Sequence, residues 1–153
     1  VSHKSIRLLI QDVAKSLGDD IQFYYGRESD FNQVRDKRYT AINLSPLSAG
    51  ASYADNDVSN YSKSWNISIA FYQLDNEAST QEEYAKILDE TDSFVDKFIN
   101  KLNFYTQQSD VITINGIGQT PFIKALADIL TGHILTFTVL TNDDFNYCGL
   151  DDC

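Results

Sequence analysis

Few side chains in this sequence are of the types that do chemistry, and fewer still stand where chemistry could use them. There are two histidines, His3 and His133. General acid–base work needs a partner held within hydrogen-bond reach, and neither residue has a neighbour in sequence suited to that. His133 opens a β-branched apolar run and reads as a structural residue. No pair of histidines has metal-ligand spacing. Gly116-Ile117-Gly118 mimics part of a dinucleotide fingerprint, but Pro121 stands where the third glycine belongs and no βαβ unit precedes it, so a plain turn is expected. Asp55, Asn56 and Asp57 begin like a calcium loop, yet the later ligand positions do not follow. Asp89, Glu90 and Asp92 cluster at helical spacing, the mark of a solvated face more than of a paired-carboxylate site. Cys148 and Cys153 close the chain without a His or a second Cys pair, so zinc is not expected and free thiols in a tail are. Thiols of that kind point to synthesis in a reducing compartment. The expectation is a protein with no catalytic, cofactor-binding or metal-ligating residues, and not an enzyme.

Charge limits the partners. The net charge of −10 disfavours general nucleic-acid binding and anionic membranes. It does allow a polyanion to slide past without sticking. Against that trend, Arg27, Arg35, Lys37 and Arg38 put four of the 12 basic residues into one polar stretch. They form either a solvated connection or a docking arm for an acidic neighbour, another copy of the chain included.

The elements that would position these residues follow from periodicity. At 153 residues, with 42% hydrophobic and 12% aromatic content, the chain suits one well-cored domain. No apolar run approaches the roughly 20 residues of a membrane span, and the N-terminal alternation of charged and apolar residues is not that of a signal peptide. Ile6, Leu9, Ile10, Val13 and Leu17 make one helical stripe over 3–17, with Gly18 suited to end it. Short strands are expected at 21–25 and 39–44, paired as a hairpin across a long connection and stopped by Ser45-Pro46. Residues 47–61 are rich in Ser, Ala, Gly, Asn and Asp and read as a long loop.

Residues 63–74 alternate most clearly: Trp65, Ile67, Ile69 and Phe71 face the core, and Asn66, Ser68, Ala70 and Tyr72 face away. Thr80 and Glu83 have capping-box spacing at the start of a second helix over 80–102. A strand at 111–114, the glycine turn, a short helix from Thr120-Pro121 to Leu130, a turn at Thr131-Gly132 and a central strand over 133–141 complete the domain. The competing reading of 120–130 is an irregular excursion with Phe122 and Ile123 docked in the core. The expected fold class is α+β: a mostly antiparallel four- to five-stranded sheet packed by two main helices, with long loops. It occupies residues 1–142 and leaves 143–153 as an acidic tail.

Several phrases carry a resemblance. They are Ser64-Trp65-Asn66-Ile67-Ser68-Ile69, the helix from Glu83 to Leu102, and Thr120-Pro121-Phe122-Ile123 leading to Ala127-Asp128. Thr131-Gly132 before Ile134 to Thr138, and then Phe145-Asn146-Tyr147-Cys148, extend it. Together with the order of elements, these resemble tail-terminator or tail-completion proteins of long-tailed phages, in particular those of Bacteroidetes hosts. The resemblance runs over nearly the whole chain as a pattern of fold and phrases. It implies a virion protein made in the host cytoplasm that forms a ring, typically a hexamer. Such a ring caps the tail tube, meets the head connector, and passes DNA through its lumen without specific binding. Arg27, Arg35, Lys37, Arg38, Tyr53, Asp55, Asp57 and Tyr61 are then the candidate contacts with neighbouring subunits or the tube. Two alternatives stand beside it: another neck or minor tail protein such as a head-closure subunit, and an acidic adaptor that binds a basic protein.

Overall fold

The structure, a computed structural model, describes residues 3–26, 40–53, 61–75, 78–107, 112–125 and 130–142. The described elements are helix α1 (His3–Lys15), strands β1 (Gln22–Tyr25), β2 (Ala41–Leu44), β3 (Ser48–Tyr53) and β4 (Tyr61–Leu74), helix α2 (Gln81–Gln107), and strands β5 (Ile112–Ala125) and β6 (Leu130–Asn142). The fold is α+β. Two helices pack one face of a mixed six-stranded sheet ordered β1-β2-β4-β6-β5, with β3 also paired to β4.

The core follows from the alternation in β4. Trp65, Ile67, Ile69 and Phe71 are all buried, together with Leu135, Phe137 and Val139 of β6. From the helices they meet Ile6, Leu9 and Ile10 and then Val95, Phe98 and Leu102, side chains at the three- and four-residue spacing of an apolar stripe. Phe98 is the pivot. Its ring lies edge-on to Phe71 at 5.6 Å and tilted to Phe137 at 6.5 Å between centroids, and such aromatic pairs add to simple area burial. Thr80 caps α2 as its spacing predicts, accepting from the Glu83 amide at 3.3 Å. Lys101 of α2 donates to the carbonyl of Ser16 at 2.7 Å, placing a cation at the negative end of α1 and tying the two helices together.

Four expectations need correction. First, β1 and β2 are parallel, in the register Gln22↔Ala41 to Tyr25↔Leu44, and do not form a hairpin. The residues between them exceed a tight turn and suffice for a crossover. Second, the segment read as a loop from 47 to 61 contains β3, which pairs antiparallel with β4 from Ser48↔Asn66 to Tyr53↔Tyr61. Its Ser-Ala-Gly composition has little strand propensity, so the pairing comes from the long edge that β4 offers. Between the Leu44↔Ile69 and Ser48↔Asn66 pairs, three residues on one side, 45–47, stand against two on β4, 67 and 68. Strand β2 ends at Leu44 as expected, and Ser45-Pro46-Leu47 links it to β3 as a bulge along the same edge of β4.

Third, there is no glycine turn, and no helix begins at Thr120. Strand β5 runs unbroken through both places, with register shifts at Asn115/Gly118 and Phe122/Ala125. Gly116 and Lys124 sit at these bulges with φ of 64° and 52°, the left-handed region that bulges commonly use. Pro121 is tolerated because β5 is an edge strand. Fourth, Thr131-Gly132 is not a turn but part of β6. Gly132 is required there by contact, since a Cβ would run into the carbonyl of Phe71 on β4. β6 lies between β4 and β5, so its expected interior position holds. The second helix ends five residues later than expected, at Gln107.

Candidate interaction surface

The face of the sheet away from the helices divides into two halves. Near the β1–β2 end it is closed: Ala41, Ala70, Tyr72 and Leu130 are buried, and Tyr24, Leu74, Phe122 and Ile134 pack against them. Burial, with Tyr24 nearby adding to it, pushes the Tyr72 phenol well above its ordinary range. Toward the β3–β4 hairpin the same face is open. Registers place Ser48 and Gly50 of β3, Asn66 and Ser68 of β4, Thr136 and Thr138 of β6, and Thr113 and Asn115 of β5 side by side. Asn66, Thr136, Ser48, Thr113 and Asn115 are exposed. A cavity of about 360 Å³ crosses this half, lined among others by Pro46, Asn66, Ser68, Gly116, Thr136 and Thr138.

Every outward position along β4, from Ser62 to Leu74, and along β6, from Leu130 to Leu140, is uncharged, as are their partners on β2, β3 and β5. An exposed antiparallel sheet face ordinarily carries Lys or Glu. The described carboxylates lie instead on α1, on α2 and in connecting segments. This surface was not singled out from the sequence. Its signal was present in the even-numbered residues of β4 and β6, which over the open half are Ser, Asn and Thr except for Leu140 and over the closed half are apolar.

The sequence-predicted contacts fare unevenly. Arg27, Arg35, Lys37, Arg38, Asp55 and Asp57 lie outside the described residues, as do Cys148 and Cys153. Tyr53 and Tyr61 are brought together as directly opposed residues in the last pair of the β3–β4 ladder. That pair stands at one pole of the sheet. The Ser62↔Asn142 pair is beside it.

The residues that could do acid–base chemistry are engaged in structural contacts. His133 Nε2 lies 3.0 Å from the Leu88 carbonyl, and Nδ1 lies 3.1 Å from Gln119 Nε2. The carbonyl can only accept and the amide nitrogen only donates, so the neutral ring carries its proton on Nε2. Gln119 also donates to Asp92 at 2.7 Å, so one amide links β5, β6 and α2. Gln73 donates to both Thr40 and Glu90, at 3.0 and 2.9 Å, beside a cleft of about 330 Å³ that Asp20 and Phe94 help to line. Thr131 donates to Asp75 at 2.8 Å and accepts from the Lys124 amide, which holds the second bulge of β5 to the end of β4. Among the described residues, no three of His, Cys, Asp and Glu are grouped to hold a metal ion. No described helix is long and apolar enough to cross a membrane.

The arrangement leaves an exposed, uncharged half-sheet among the described residues. No protein-family model matches the chain, and no curated protein matches it significantly in sequence.

Proposed function

We propose that this chain is a structural virion subunit, a tail terminator that assembles as a ring, as a hexamer in the form its resemblance implies. It caps the tail tube of a long-tailed phage, meets the head connector, and lets DNA through the lumen without binding it specifically. What supports the reading most is that two of the candidate contacts, Tyr53 and Tyr61, are brought together in the last pair of the β3–β4 ladder, at one end of the sheet beside the Ser62↔Asn142 pair. The net charge of −10 fits a conduit for DNA, since an acidic wall repels the polyanion and keeps it moving.

The test replaces residues 54–60 with a two-residue Asn-Gly turn, which closes the hairpin after Tyr53 and leaves β3 intact. A wider deletion beginning at Gly50 would remove four of the six residues of β3 and confuse misfolding with failed assembly. The expected result is a folded subunit that no longer joins heads to tails, seen as separate heads and tails by electron microscopy. Normal infectious particles from that variant would overturn the assignment of this segment. Absence of the native protein from purified particles would overturn the function.

A further inference from the structure

We propose that Asn115 is a site of spontaneous covalent modification, where the folded chain converts its own side-chain amide into a carboxylate through a cyclic imide formed with Gly116. The inference does not depend on the virion reading. Of the seven glycines only Gly116 follows an asparagine. That order matters because the reaction is intramolecular. The Gly116 amide nitrogen gives up its proton to base and attacks the side-chain carbonyl carbon of Asn115. A C–N bond forms, the side-chain nitrogen takes up a proton and leaves as ammonia, and a five-membered succinimide ring remains. Water then opens the ring at either carbonyl. One product is aspartate, and the other is isoaspartate, in which the backbone runs through the former side chain. One water is consumed and one ammonia released, with no oxidation or reduction. Holding nucleophile and carbonyl in one chain replaces a bimolecular encounter. The absence of a Cβ on glycine leaves its nitrogen free to make the approach.

The fold puts this pair where the ring can close. Asn115↔Thr138 is the last pair before the register shift, and pairing resumes at Gly118↔Thr136. Gly116 and Ile117 stand in the bulge between, outside the ladder. Gly116 has a φ of 64°, and a Cβ built on it would meet nothing within 4 Å. Backbone conformation and not crowding requires the glycine, and there is room for its peptide to turn. Asn115 and Gly116 are both exposed, so base and water reach the reacting atoms. Asparagines in regular structure are protected by contrast. Asn43 is wholly buried, and its amide donates to the Gly26 carbonyl at 3.3 Å. Asn66 is exposed, but the β-branched Ile67 follows it and both are paired with β6. Asn100 and Asn103 lie within α2, whose backbone amides are engaged turn by turn. The bulge also tolerates the product. Isoaspartate lengthens the backbone by one atom, and a bulge on an edge strand already accommodates extra backbone. The new carboxylate stands on the outward face beside Thr138, next to the cavity that Gly116 helps to line.

The experiment is incubation of the purified full chain at neutral and at mildly alkaline pH, sampled over time. Tryptic peptides are read by mass spectrometry, with electron-transfer fragmentation to separate aspartate from isoaspartate. Residues 102–124 form one such peptide and carry both Asn103 and Asn115. In the folded protein Asn115 should gain one mass unit as both products, at least roughly 10-fold faster than Asn66 or Asn103, a barrier difference of about 1.4 kcal/mol. The rate should rise with pH, and circular dichroism should stay native throughout. Asn115→Gln should stop the conversion, because its ring would have six members, and Asn115→Asp should fold as the wild type does. The same chain in denaturant is the control. Conversion at Asn115 in denaturant but not in the folded sample overturns the proposal, as does an amide that survives in both. Conversion of Asn66 or Asn103 at the rate of Asn115 overturns it too.

Discussion

The two halves of the outward sheet face lie on the same strands and meet opposite fates. Within six residues β4 passes from Asn66, exposed, to Tyr72, wholly buried. Beside it β6 passes from Thr136, exposed, to Gly132 and Leu130, buried. The inward residues Ile67, Ile69 and Phe71 of β4 and Leu135 of β6 are buried over the same stretch. The difference teaches that this sheet is an interior on one face and half of an interior on the other. The open half is the part that stability does not require. It is free to be uncharged without cost to the monomer.

Substitutions can break or sharpen that contrast. The largest effect is expected at Gly132 in the closed half. Gly132→Val has no room for its side chain against the β4 backbone. It should leave little folded protein, measured as soluble yield and loss of the cooperative unfolding transition. Next, Trp65→Ala on the inward face should destabilise by about 3–5 kcal/mol in denaturant titration, the range of buried aromatics. It also removes the indole donor to Thr141, now paired at 3.3 Å.

A smaller, pH-dependent effect should appear at Tyr72. Its folded-state pKa is raised above the ordinary 10.0, chiefly by burial, so the unfolded chain ionises first. The associated stability is fully present below about pH 10 and drains away as pH rises beyond it. Tyr72→Phe should flatten that alkaline decline in melts taken between neutral and strongly alkaline pH. An unchanged decline would mean that other groups cause it. The smallest effect belongs to the open half: Asn66→Lys should alter monomer stability by no more than about 0.5 kcal/mol. A large loss there would mean that the two halves are not distinct.

Periodic elements were legible in the sequence because one side of each is apolar. Helix α1, strand β4 and helix α2 all stand where their stripes predict. Strand β3 was not legible, because Ser-Ala-Gly-Ala-Ser carries no pattern of its own and depends on β4 to pair. Strand β5 beyond Gly118 misled for a different reason. Thr120-Pro121 has the local chemistry of a helix start, and pairing with β6 overrides it. The parallel β1–β2 pair lies beyond local signals altogether, since strand direction depends on how the chain returns. Of the candidate contacts, only Tyr53 and Tyr61 fall among the described residues. The uncharged face was readable in the even positions of β4, but only the register with β3, β5 and β6 turned scattered Ser, Thr and Asn into one surface.

Strand β4 has a ladder on each side along nearly all its length: β6 on one, and β2, the bulge at Ser45–Leu47 and β3 on the other. Its amides therefore exchange with solvent only when a whole flank detaches. In deuterium labelling of the native protein, the middle of β4 and the facing amides of β6 should be the last to take up label. The bulge should report the earliest opening on its flank. The Ser45 amide, bonded to the Ser68 carbonyl at 3.0 Å, gives that opening a single-residue clock.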